Sequence, residues 1–182
     1  MGGADLVLVL IIAAGFILGF FRGVVRQALA LGAWLVVFVV TSHLRVPLGE
    51  WLAQSSPDYG RDYALMLDFG VLFLAVFGVA LVLIEFGGAP SKLTRHPVID
   101  DTLGGVLGLL IAGVTIASVM VILESYFGQA GPARLGEIAW MRELHLTLAE
   151  SAVAQAIDEW IVRGMAVLIG PLLPADVRAV LG

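Results

Sequence analysis

LVLVLIIAAGFILGFFRGVVR, residues 6–26, is the stretch that decides the fold. It opens with 16 residues free of charge, Leu6 to Phe21, and closes on Arg22 and Arg26. Gly15, Gly19 and Gly23 recur four apart, so in a helix they share one stripe, where the backbone of a second helix can approach closely. The stretch reads as a packing seam inside a membrane bundle. As a helix the uncharged run measures about 24 Å, short of the roughly 30 Å hydrocarbon core. Asp5 and Arg22 therefore mark the two bilayer surfaces, the arginine stem lying in lipid with its guanidinium at the interface.

The rest of the composition agrees with a lipid solvent. The 182 residues have a mean hydropathy of +1.01, and only 14% are charged, against about a quarter in soluble proteins. The absence of cysteine removes disulfides, thiolate chemistry and Cys-based metal sites. A formal charge of −5, with ten scattered Lys and Arg, argues against a nucleic-acid partner. No Lys or Arg precedes the first apolar run, and no cleavage site leads into a polar chain, so the first span is expected to be retained.

Further apolar runs follow at Ala28–Ser42, Phe69–Ile84 and Thr102–Leu123. The fold expected is an all-α membrane protein of four transmembrane helices in two tight hairpins, with a C-terminal amphipathic helix. Residues 1–127 form the four-span domain and 128–182 an extramembrane tail. Residues 43–68, with Pro47, Pro57 and several charges, read as an extramembrane connector carrying a short surface helix at Val46–Ala53. Glu85, with Gly-Gly-Ala-Pro at residues 87–90 just beyond it, closes the third span. Over Leu144–Met165 helical periodicity places Ala149, Val153, Ala156, Ile157, Trp160 and Ile161 on one stripe. With few cations, this helix is expected to pack on the bundle or on a partner rather than on anionic lipid.

Gly104 and Gly108 give the fourth span a glycine stripe of its own. If the stripes of spans one and four pack in opposite directions, Arg22 and Arg26 meet Asp100 and Asp101 at one membrane surface. Pairing lowers the cost of holding charge there. The expected role is a clamp, the alternative a proton-coupled cluster in which protonating Asp100 frees an arginine. Glu85 ends the third span on the same side, where it reads as a solvated helix-end carboxylate able to join the cluster. Asp68 and Glu124 read as water-boundary markers on the opposite side. His43, His96 and His145 lie in three separate segments without metal-ligand spacing. No hydrolase, nucleotide-binding or metalloprotease motif is present, and Ser118, Ser125 and Ser151 read as helix-bonded hydroxyls. Neither an enzyme nor a cofactor is expected.

Asp5, then Arg22, Gly23, Arg26 and Leu29 in the pattern Arg-Gly-x-x-Arg-x-x-Leu, then Asp100, Gly104 and Gly108 in Asp-x3-Gly-x3-Gly, resemble the colicin V production family of bacterial inner-membrane proteins over roughly residues 5–125. Members often carry Arg directly after the aspartate and an Arg-Gly further into span four, where this chain has Asp101, Ile111 and Ala112. The resemblance implies a four-span inner-membrane protein linked to export of a peptide toxin, with no accepted biochemical activity. Some relatives carry a serine protease after the membrane domain, on the outer side. That precedent, with Arg22 and Arg26 in a short loop, gives an expected orientation of N-out and C-out. The function expected is a membrane accessory or scaffold protein acting through protein partners or its own copies in toxin export or envelope homeostasis. The alternative is a small transporter or channel-like component using Arg22, Arg26, Asp100 and Glu85.

Overall fold

The computed structural model describes residues 2–55, 60–87, 97–128 and 138–181, and all their regular elements are helical. The chain runs α1 (Gly3–Arg22), α2 (Val24–Ser55), α3 (Arg61–Phe86) and α4 (Pro97–Phe127), then α5 (Ala139–Ala149), α6 (Ala152–Ile157), a π-helical turn (Asp158–Val162), α7 (Arg163–Leu168), a 3-10 turn (Gly170–Leu172) and α8 (Ala175–Leu181). The first four are long and apolar enough to cross a membrane. At 20 residues, α1 reaches about 30 Å, because its helix extends beyond the uncharged run at both ends.

A single residue separates α1 from α2. Gly23 has φ 78° and ψ 168°, in the half of conformational space that side chains avoid, and this reverses the chain without a loop. The first two spans therefore form the expected hairpin, but α1 packs chiefly on α4 while α2 packs on α3 and α4. The contact of α1 with α4 runs through glycine. Gly15 lies over Gly108 and Ala112, where an added Cβ would stand 2.8 Å from the Gly108 carbonyl oxygen and 2.6 Å from the Ala112 Cβ. Gly19 lies over Gly104, whose own added Cβ would stand 2.5 Å from the Gly19 oxygen and 2.9 Å from the Gly23 Cα. The two backbones touch, so neither helix has room for a side chain here.

The central helix is α4, half of whose span is buried against 17% for α1 and α3. Aromatic rings fill the middle of the bundle. Phe38, Phe69 and Phe73 are fully enclosed, with Phe38 stacked on Trp34 at 5.6 Å and edge-on to Phe73 at 5.8 Å. The Trp34 indole donates across to Ser118 Oγ at 3.0 Å, and Ser118 donates to Val114 O. The outer faces of α1 and α3 carry Leu10, Phe21, Val79, Leu83 and Phe86, all exposed, as helices facing lipid require.

Two expectations need correction. The connector assigned to residues 43–68 is largely helix: α2 continues through Pro47 to Ser55, and α3 begins at Arg61. Thr41, Ser42, Arg45 and Gly49 recur at helical spacing and are all buried, with Gly49 against Leu65, and this packing outweighs the proline. The C-terminal helix is not one continuous element with the expected stripe inward. It breaks at Glu150–Ser151 and loosens into the π turn; Leu148, Ala154, Ile157, Val162 and Met165 face the bundle, while Ala149, Ala156 and Trp160 face outward. Pro57, Tyr59, Lys92, Arg95, His96, Gly131, Pro132 and Arg134 lie outside the described residues.

Candidate functional site

Polar side chains gather at the two ends of the bundle. At the Gly23 end the chain reversal brings Arg22 and Arg26 beside the last turn of α3, where both bind Glu85. Arg22 Nε lies 3.2 Å from Glu85 Oε2, and Arg26 Nη1 donates to Oε1 at 2.9 Å. The sequence set these arginines against Asp100 or Asp101, with Glu85 as a solvated helix end able to join them; the structure brings both arginines onto Glu85. Glu85 closes α3 between two cations, bridging them and offsetting one of their two positive charges.

Asp100 is buried and does something else. Its Oδ1 accepts the Val24 N–H at 3.1 Å, so an aspartate of α4 caps the N-terminus of α2, where free N–H groups and the helix dipole both favour a carboxylate. A helix starting immediately after a one-residue turn has no preceding Ser or Asp of its own to do this. Oδ2 of Asp100 is buried without a hydrogen bond among the described residues. Asp101 follows half-buried on α4. The candidate residues Arg22, Arg26, Glu85 and Asp100 therefore share one end of the bundle, as a bridged arginine pair and a cap.

The opposite end was largely missed from the sequence. Asp5, buried in the first turn of α1, accepts hydrogen bonds from Ser151 Oγ at 2.6 Å, Val153 N at 3.2 Å and Gly2 N at 2.7 Å. Ser151 Oγ also accepts from Ala154 N at 3.1 Å. Asp5 and Ser151 together thus cap the helix beginning at Ala152 and fasten it to the first span. The serine is a two-way connector, beyond the helix-bonded hydroxyl expected. Arg45, buried on α2, pairs with Asp176 of α8 and lies 5.8 Å from the centroid of the Phe69 ring. The buried stripe Ser42, Arg45, Gly49 was the signal available for it.

Between α4, α5, α6 and α8 lies a half-open cavity of about 400 Å³, walled by Met120, Val121, Leu148, Val162 and Val180, with Glu124, His145, Gln155 and Asp158 at its polar rim. His145, which had no expected partner, sits 3.7 Å from Glu124 and stacks on Phe127. Asp68 lies within α3, half-buried and about 26 Å along the helix from Glu85, and its Oδ2 is enclosed without a hydrogen bond among the described residues. Among the described residues no three His, Cys, Asp or Glu converge to hold a metal ion.

The family model described as "Colicin V production protein" matches residues 4–162. The chain belongs to the colicin V production family. That match takes in all four spans and continues through α5 and α6 to the end of the π turn, further than the resemblance read from sequence. Among curated relatives, the chain is 27% identical over 122 residues to "Colicin V production protein homolog" of Haemophilus influenzae, covering 67% of this chain and 73% of that one. It is 27% identical over 124 residues to "Colicin V production protein" of Escherichia coli, covering 68% and 75%. No solved structure matches it significantly. With four spans and this family membership, the chain is a multi-pass membrane protein of bacterial type.

Proposed function

We propose that this family member is an accessory protein of the bacterial inner membrane, N-out and C-out, that carries out no chemistry of its own and works through protein partners or its own copies in toxin export or envelope homeostasis. What supports the reading is the use made of its polar groups. Glu85 holds two arginines, Asp100 caps α2, Asp5 holds Ser151 and Arg45 holds Asp176, so each joins one helix to another. The middle of the bundle is filled by the packed rings of Phe38, Phe69 and Phe73. The glycine faces of α1 and α4 are occupied by each other, and the outer face of α3, around Gly78, Val79 and Leu83, is one exposed apolar surface open to a partner. The arginines beside the one-residue turn favour that end as cytoplasmic.

The test is photo-crosslinking from Val79 and Leu83 in native membranes. A recurrent protein adduct, or a homodimer adduct, is expected; adducts to lipid alone would overturn the reading. The enclosed Oδ2 atoms of Asp68 and Asp100, without a hydrogen bond among the described residues, favour a second reading, a proton- or cation-coupled transporter, since ionisable groups set into spans often mark ion routes. Proton flux into proteoliposomes that disappears with Asp68→Asn or Asp100→Asn would select it.

A further inference from the structure

The helix over residues 152–168 presents three faces. Ala154, Ile157, Val162 and Met165 pack on the bundle. Gln155 and Asp158 look onto the polar rim of the cavity, with Glu159 and Arg163 exposed beside them. The third face is apolar and uncovered: Trp160 is 77% exposed, Val167 78% and Leu168 79%, and Leu172 in the following turn continues the patch. Residues 160, 164, 167 and 168 fall on one side of a helix, with Gly164 between the large side chains.

The height of this face along the bundle identifies what covers it. From Arg22 to Asp5, α1 rises about 26 Å, so Asp5 stands just inside the far boundary of a roughly 30 Å core whose near boundary lies at Arg22 and Asp100. Ser151 is fixed at that height by its bond to Asp5. Further along, Ile161 reaches the middle of α4, where a Cβ added to Gly113 would stand 2.5 Å from Ile161 Cδ1. Gly113 lies about 20 Å along α4 from Asp100, and so about 10 Å inside the far boundary. The apolar face therefore continues the exposed belt formed by Leu6, Leu10, Leu109 and Leu110 on α1 and α4. A depth of about 5–10 Å, an apolar face outward and a polar face toward water define a helix seated in the interface.

We propose that residues 152–172 form a fifth membrane element, an interfacial helix and turn whose Trp160, Val167, Leu168 and Leu172 are covered by lipid acyl chains. The helix needs no dense cationic face, because Asp5 and the core contacts fasten it and the lipid supplies only the covering.

The chain has no cysteine, so single labelling sites can be introduced one at a time. Val167→Cys, Leu168→Cys and Glu159→Cys, with Leu10→Cys as the lipid-facing standard, are each labelled with an environment-sensitive fluorophore. The full chain is then reconstituted in phosphatidylethanolamine/phosphatidylglycerol vesicles containing chain-nitroxide lipids. Labels at 167 and 168 are expected to emit to the blue of the label at 159, and to be quenched roughly twofold or more over it, approaching the label at 10. Unquenched labels at 167 and 168 overturn the proposal in either form: red-shifted and iodide-accessible if the face meets water, or blue-shifted and inaccessible to both quenchers if it meets a protein. Retained Tm in each variant shows that the labelled chain is folded.

Discussion

Replacing Gly19 by alanine puts a methyl group where the backbone of α4 already stands. The new Cβ would overlap the Gly104 carbonyl oxygen and lie 2.8 Å from the Gly108 Cα. Neither atom can rotate away as the end of a side chain could, so the helices must separate over the whole Gly15–Gly23 seam. Overpacking of this kind costs about 1–3 kcal/mol, against a gain of up to about 1 kcal/mol from the better helix propensity of alanine. With that gain subtracted the net loss is about 0–2 kcal/mol, a fall of up to roughly 8 °C in Tm for a chain of this size. Gly78 provides the control, because nothing lies within 4 Å of a Cβ added there; Gly78→Ala leaves Tm unchanged or raises it slightly. Both variants are measured by thermal unfolding in the same detergent. Equal Tm values for Gly19→Ala and Gly78→Ala would refute the account of the seam.

Other substitutions separate the roles of the polar groups. Asp100→Ala removes the cap of α2 and costs about 0.5–2 kcal/mol, while Asp100→Asn keeps an acceptor and costs less; amide exchange at Val24, faster in the alanine variant, reads this directly. Ser151→Ala takes one donor from a buried carboxylate and the cap from Ala154, a loss of about 1–3 kcal/mol, seen as faster proteolysis within residues 138–181 with little change at α3. Asp176→Ala leaves Arg45 buried without its carboxylate; since Asp176 is itself 46% exposed, the expected cost is about 1–3 kcal/mol, below that of a fully buried pair. Adding Arg45→Met to that variant should recover most of it, and failure to recover would mean that the cation is not what is destabilising.

Hydropathy and glycine spacing made the four spans, the hairpin at Gly23 and the antiparallel seam of α1 and α4 legible, because burial in lipid acts on every residue of a helix and leaves a periodic trace. Partner choice among charges left no such trace. Glu85, Asp100 and Asp101 were all acidic residues at one end, and only the packing of α3 beside the turn placed Glu85 against both arginines while Asp100 came under the first amide of α2. Asp5 and Ser151 are 146 residues apart, and their bond depends on how the C-terminal segment folds back, which periodicity does not report. Pro47 misled because a local rule was applied where Ser42, Arg45 and Gly49 are held by tertiary packing. In the C-terminal segment the break at Glu150–Ser151 separates Ala149 from the helix that follows, and the π turn at Asp158–Val162 moves the buried position after Ile157 from Ile161 to Val162 and leaves Trp160 outward.

The central claim is that charges set into this bundle join its helices. Its most direct measurement is a double-mutant cycle on Arg26→Gln and Glu85→Gln, read as unfolding free energy of the reconstituted chain. Their side chains are 19% and 36% exposed, so solvent weakens a charge-assisted bond that would otherwise contribute more. The account predicts a favourable coupling of about 1 kcal/mol, the double variant losing less than the sum of the two single ones. Strictly additive losses, or no loss on removing Glu85, would contradict it.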